Sequence, residues 1–163
     1  MIMRAWAVGF LLLAVSAATA DNYTNSKMGF SLDFPSAVTV DDKGDSIKLT
    51  QVVPGEGAFA MTATDLTGKA TIVHGQEAAC ADGVLTGYLS KQTLLSKTPF
   101  AVPNGAGIDV LTTGDGMKTR ARIYCVPPYV FMVMAGIPAT NDTSAFAGGK
   151  YRTYFESFRI LPK

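Results

Sequence analysis

The stretch "RIYCVPPYVFMVMAGIP", residues 122–138, decides how this chain is read. Its second half, Tyr129-Val130-Phe131-Met132-Val133-Met134-Ala135, is apolar at every position. A strand with one wet face alternates apolar and polar residues. A continuous apolar run of this length belongs inside a sheet that is covered on both sides. The segment before it, Met117–Val126, does alternate. Ala121, Ile123 and Cys125 fall on one side, and Lys118, Arg120, Arg122 and Tyr124 on the other. Cys125 therefore points at a covering layer, and the question is what supplies that layer.

The only other cysteine is Cys80. It lies where the hydrophobic period changes. Cys80, Ala81, Val84, Leu85, Tyr88 and Leu89 recur at offsets of three and four, which predicts one face of a helix between Val73 and Leu94. Gly83 and Gly87 weaken that helix, or else mark a side where its backbone lies close to a sheet. A Cys80–Cys125 disulfide would staple helix to sheet. Closing a loop of 45 residues is worth about 4 kcal/mol on the chain-entropy view. A redox pair or a nucleophilic cysteine is the alternative, but no C-x-x-C is present.

The rest reads mainly as antiparallel strands. Phe30, Leu32 and Phe34 alternate in "GFSLDFP" (29–35), and Pro35 stops that strand. Short strands are expected at 37–40, 46–53 and 58–64, with turns at "DDKGD" (41–45) and "PGEG" (54–57). Beyond the helix, strands are expected at 94–102 and 108–113, with a hairpin turn at "TGDG" (113–116), and Pro138 closes the apolar strand. Asn141 or Thr143 would cap a last helix running to about Phe155, and "SFRIL" forms a terminal strand or tail. The fold class is α+β.

The first twenty residues stand apart. Arg4 precedes an apolar run, "AWAVGFLLLAV" (5–15), and "SAATA" brings Ala18 and Ala20 into an A-x-A arrangement. That pattern predicts a secretory signal peptide over residues 1–20, cleaved after Ala20. The apolar core is short for an uncleaved anchor, since a spanning helix takes about 20 residues. Residues 21–163 then form one domain of about 140 residues, long enough for a sizeable core. With Arg4 set aside, the 14 Lys and Arg fall to 13 and equal the 13 Asp and Glu. A balanced charge argues against capture of nucleic acid. An even cysteine pair in an exported chain fits the periplasm or the exterior.

Taken together, "MGFSLDFP" (28–35), "RARIYCVPPYVFMVMAG" (120–136) and "YRTYFESFRIL" (151–161) resemble the PsbP-like fold. Members typically carry an early aromatic strand ended by proline, a late apolar hairpin, and an aromatic helix ending in F-[DE]-S-F, here Phe155-Glu156-Ser157-Phe158. The resemblance covers most of residues 21–163 in order. It implies an antiparallel sheet flanked by helices on both faces, an α/β/α sandwich. It implies binding or assembly duties, with no shared catalytic apparatus.

Chemistry-bearing residues are sparse. His74 is the only histidine, flanked by Val73 and Gly75, and no G-x-S-x-G accompanies it. Asp41, Asp42 and Asp45 suggest calcium, but the twelfth loop position is Val52 or Val53 where an EF-hand needs glutamate. The glycine clusters fit no dinucleotide or P-loop pattern, so no cofactor is expected. The strongest candidate is the strand face bearing Lys118, Arg120, Arg122 and Tyr124. Left open, it would bind a small anionic ligand or an acidic envelope protein. Arginines two apart on a strand stand about 7 Å from each other, close enough to share one phosphate or two carboxylates. The competing reading lays these side chains along the sheet with cross-strand carboxylate partners. The expected function is an exported, non-enzymatic binding or assembly module. The alternative is a cryptic hydrolase using His74, or a secreted enzyme inhibitor presenting "VPNGAGID" (102–109).

Overall fold

The computed structural model describes residues 21–162. The signal-sequence reading falls on residues 1–20 and lies outside the described residues. The chain runs β1 (Asp21–Asn25), β2 (Phe30–Phe34), β3 (Thr39–Asp42), β4 (Ser46–Val53), β5 (Gly57–Asp65), α1 (Glu77–Tyr88), β6 (Thr93–Val102), β7 (Gly105–Gly114), β8 (Met117–Val126), β9 (Tyr129–Pro138), α2 (Gly149–Ser157) and β10 (Arg159–Ile160). Short 3-10 turns sit at Leu89–Lys91 and Thr143–Ala147.

Seven strands form one antiparallel sheet in the order β3-β4-β5-β9-β8-β7-β6, and β1, β2 and β10 form a second. The apolar strand β9 is the middle strand of seven, between β5 and β8. Position in the sheet thus accounts for its composition. The two faces are unequal, however. Phe131, Val133, Ala135 and Ile137 are at most 1 % exposed, whereas Val130, Met132 and Met134 are only partly buried. The expectation of complete cover on both sides is corrected here. α1 packs on β7 and β8, at the far end of the sheet from β3.

That α1 layer buries Ala81 and Leu85 against Ile108, Val110, Ala121, Ile123 and Cys125. Its stripe is the one the sequence period predicts. The Tyr88 hydroxyl lies 3.3 Å from Thr112 Oγ1, which gives the buried threonine a polar partner. Cys80 and Cys125 are bonded, with Cα atoms 6.2 Å apart. Gly83 and Gly87 do not approach the sheet. A Cβ at either would meet no atom within 4 Å, so they are simply weak helix residues on the wet side.

The opposite face carries the larger core. The layer there is mixed: β2 with its two partner strands, the Thr143–Ala147 turn, and α2. Phe30, Leu32 and Phe34 are fully buried, each contributing about 1.5–3 kcal/mol on transfer from water. They interlock with the rings of β9 and α2: Phe30 with Phe131 at 5.6 Å and Phe34 with Tyr154 at 5.3 Å. Tyr151 and Tyr154 also donate to the carbonyls of Glu56 and Ala60, which ties α2 to β5 and the turn before it. Ser157 Oγ accepts from Asp33 N–H and donates to the Tyr154 carbonyl, joining the end of α2 to β2.

Other boundaries moved for local reasons. β1 is polar in sequence (DNYTN) and gave no apolar alternation; it exists because β2 offers it a partner edge. Asp41 and Asp42 belong to β3, paired with Lys48 and Ile47. The cap of the 3-10 turn is Asp142, whose side chain accepts from Ser144 N–H. The last helix is split from that turn at Gly148-Gly149, where Gly149 has φ of 53°. The "TGDG" hairpin turns at Asp115-Gly116, both with positive φ, as a two-residue turn between right-twisted strands requires.

Candidate functional site

Strand alternation places Arg120 and Arg122 of β8 on the α2 side of the large sheet. The β7–β8 register sets Asp109 opposite Arg122 and Leu111 opposite Arg120. Asp109 thereby sits between the two guanidinium groups. Arg120 Nε lies 3.0 Å from Asp109 Oδ1, and its Nη2 lies 2.7 Å from Oδ2. Arg122 Nε donates to the same Oδ2 at 2.9 Å. Both guanidinium groups also lie over the Phe155 ring, 5.2 and 5.4 Å from its centre. Arg122 Nη1 donates to the Phe155 carbonyl and Arg120 Nη1 to the Phe146 carbonyl. The cluster thus fastens α2 and the 3-10 turn to the sheet.

Burial pushes the Asp109 carboxyl up, but hydrogen bonds from Arg120 and Arg122 outweigh it, and the group is held below the usual aspartate range. The bond to Asp109 raises Arg120 in turn. Two cations share one anion, so the cluster keeps one unbalanced positive charge. Each guanidinium has five N–H donors, more than these bonds use.

Beside the cluster lies a cavity of about 600 Å³. Arg120, Arg122 and Asp109 line it together with Ser96 and Thr98 of β6 and Thr143 of the turn. Phe100, Leu111 and Phe146 give it apolar walls. The arrangement suits a small polar ligand bearing one negative charge: guanidinium donors at the base, hydroxyls at the sides, and an apolar wall to exclude water.

The four residues of the predicted face do not stay together. Arg120 and Arg122 share the cavity. Lys118 donates from Nζ to the Asn141 carbonyl at 2.8 Å and is not part of the lining. Tyr124 is 7 % exposed and belongs to the core, packed on Phe158 at 4.7 Å and Phe100 at 5.3 Å. Burial raises its hydroxyl above the ordinary tyrosine value. Asp109 was missing from the sequence reading, although a lone acid within an apolar strand facing two arginines was its available signal. The hydroxyls and Phe146 come from segments that meet only in the fold.

His74 stands at the surface with Nδ1 3.1 Å from Glu77 Oε1. Glu77 also accepts the Gly75 N–H, so the pair serves the start of α1. The aspartates at 41–45 have local partners: Asp41 pairs with Lys43, Asp45 with Lys69, and Asp42 accepts the Gly44 N–H. Among the described residues no cluster of His, Cys, Asp or Glu could hold a metal ion. The segment "VPNGAGID" is a tight hairpin between two paired strands, with Pro103 and Asn104 exposed at its tip. Gly105 onward is strand β7, and the chain reverses over Pro103 and Asn104.

Neither a family profile nor a curated protein matches the sequence. Solved structures do. The solution structure of cyanobacterial PsbP (CyanoP) from Synechocystis sp. PCC 6803 superposes with a TM-score of 0.58 at 13 % identity, covering 91 % of this chain and 96 % of that one. A crystal structure from Bacteroides thetaiotaomicron gives a TM-score of 0.48 at 11 % identity, covering 87 % of this chain and 48 % of that one. The first match covers most of both chains. The chain therefore has a PsbP-like fold.

Proposed function

We propose that the protein is an exported, non-enzymatic binding or assembly module of the cell envelope, and that it engages an anionic group of its ligand or partner protein at Arg120 and Arg122. The observation that carries this reading is the cavity beside a cluster with one unbalanced positive charge. Two further features support the location. The Cys80–Cys125 bond suits an oxidising compartment, and no helix among the described residues is long and apolar enough to cross a membrane. The hydrolase alternative has His74 exposed and engaged with Glu77 at the start of α1. The inhibitor alternative has its loop folded into a tight hairpin.

The test is a titration of the purified protein with inorganic phosphate and with citrate, followed by backbone and arginine Nε NMR shifts. Shifts centred on Arg120, Arg122 and Asp109 are expected, and they should vanish in a folded Arg120→Gln, Arg122→Gln variant. Capture of envelope proteins by the two forms then identifies the partner. Anion binding or partner capture that persists in a well-folded double variant refutes the assignment.

A further inference from the structure

A second recess opens on the same side of the large sheet, beyond Tyr124. Its volume is about 540 Å³, and Met28, Tyr124, Val126, Phe131, Phe158 and Ile160 form much of its wall. The turns at Pro103-Asn104 and at the cis Pro127-Pro128 bond rim one side, and the C-terminal tail rims the other. We infer that this recess is a binding site for a small, uncharged, largely apolar molecule carrying an aromatic ring.

Three observations lead there. The floor is rigid and aromatic. Tyr124, Phe131 and Phe158 are at most 7 % exposed and brace one another, with Phe158 at 4.7 Å from Tyr124 and 5.7 Å from Phe131. They cannot swing in to fill the space. The volume lies within the span of about 300–1,000 Å³ found for small-molecule sites. Finally, several polar groups around the rim already have partners. Leu161 N–H donates to the Gly29 carbonyl at 2.8 Å and Leu66 N–H to the Pro128 carbonyl at 3.0 Å. Arg159, the one charged residue of the lining, turns its Nη1 to the Glu156 and Phe158 carbonyls. Water in such a recess finds few hydrogen-bond partners and is readily displaced by an apolar group. Among the described residues no carboxylate lines the recess to meet a cation, and the Arg159 guanidinium is held at the edge by two carbonyls, so the apolar floor favours an uncharged ligand.

The site is separate from the arginine cavity. The Phe100 ring, edge-on to Tyr124 at 5.3 Å, stands at the boundary, lining the first cavity while Tyr124 lines the second. The close fit of Phe100 against Gly107 holds the ring there, since a Cβ at Gly107 would fall 2.3 Å from it.

The probe is N-phenyl-1-naphthylamine, uncharged, whose emission rises in apolar surroundings. Titrated into the purified protein it should show one saturable site. Val126→Trp and Val102→Trp, both at partly buried positions of the lining, should fill the recess and weaken binding by roughly tenfold or more. Val52→Trp, at an exposed position outside the recess, should leave it unchanged. Because a tryptophan could disturb the fold, wild-type protein is also titrated with indole and followed by amide NMR shifts. These are expected at residues 28–29, 126–131 and 158–161. Non-saturable fluorescence, binding undiminished in both folded tryptophan variants, or indole shifts centred outside these segments would overturn the inference.

Discussion

Replacing Asp109 by asparagine separates the structural and binding duties of the arginine cluster. The substitution keeps the shape and one acceptor oxygen but removes the charge that two guanidinium groups share. Side-chain exposure is 21 % for Asp109, 27 % for Arg120 and 25 % for Arg122. Removing one partner of a fully buried pair costs about 3–5 kcal/mol. Solvent reaches a quarter of each group here, so about 2–3 kcal/mol is the reasonable loss. For a domain of this size that corresponds to a fall in Tm of about 6–12 °C. Urea unfolding at pH 7 measures it.

The pH dependence supplies a second check. The folded Asp109 carboxyl lies below its ordinary value, and the unfolded reference is about 3.9. A depressed carboxylate stabilises the fold above the unfolded pKa, and that contribution disappears as pH falls through the folded value. The gap between wild type and Asp109→Asn should therefore be full at pH 7 and narrow steadily below about pH 4. Binding should move the other way. The variant leaves two unbalanced cations instead of one, so phosphate affinity at neutral pH should rise about fivefold or more. A loss under about 0.5 kcal/mol at pH 7, within the range of an ordinary surface change, would show that the cluster does not fasten α2. A pH-independent gap would show that the carboxylate charge is not the cause.

Three further outcomes are expected. Thiol titration of the denatured, unreduced protein should find no free cysteine, and a Cys80→Ser, Cys125→Ala variant should lose about 4 kcal/mol in urea unfolding; two titratable thiols would refute the bond. Gly83→Ala and Gly87→Ala should each raise stability by roughly 0.5–1 kcal/mol, because both face open solvent; a loss at either would mean that the helix needs its glycine. Gly57→Ala should be costly, roughly 3 kcal/mol or more, since φ is 141° and the new Cβ would lie 2.0 Å from the Gly136 carbonyl oxygen; a wild-type Tm would contradict the close approach of β5 to β9.

What could be read from the sequence follows from where each signal resides. β9 was legible because central position forces apolar residues onto both faces of one strand, and β8 because its alternation survives intact. α1 and its bond to β8 were legible because Cys80 falls on a periodic stripe and Cys125 on the inward parity of a strand, two local patterns that needed only a distance to join them. β1 was not legible. Asp21–Asn25 has no apolar face, and its strand state is imposed by the free edge of β2. The same limit governs the candidate site. Arg120 and Arg122 announce themselves by their spacing, but whether they face a ligand or a carboxylate depends on the register of β7, which fixes Asp109 between them. Register arises from the whole hairpin, including the Asp115-Gly116 turn, and not from the residues of the site. The cavity depends on still more distant choices. Its far wall is Phe146, brought over β8 only because Asp142 caps a short turn and Gly149 adopts a left-handed conformation before α2 begins. Helix capping, turn handedness and strand register thus decide jointly that two arginines of a sheet face become half-neutralised anchors beside an opening. A shift of β7 by one residue would turn Asp109 toward α1 and leave the same two arginines unpaired on the α2 side.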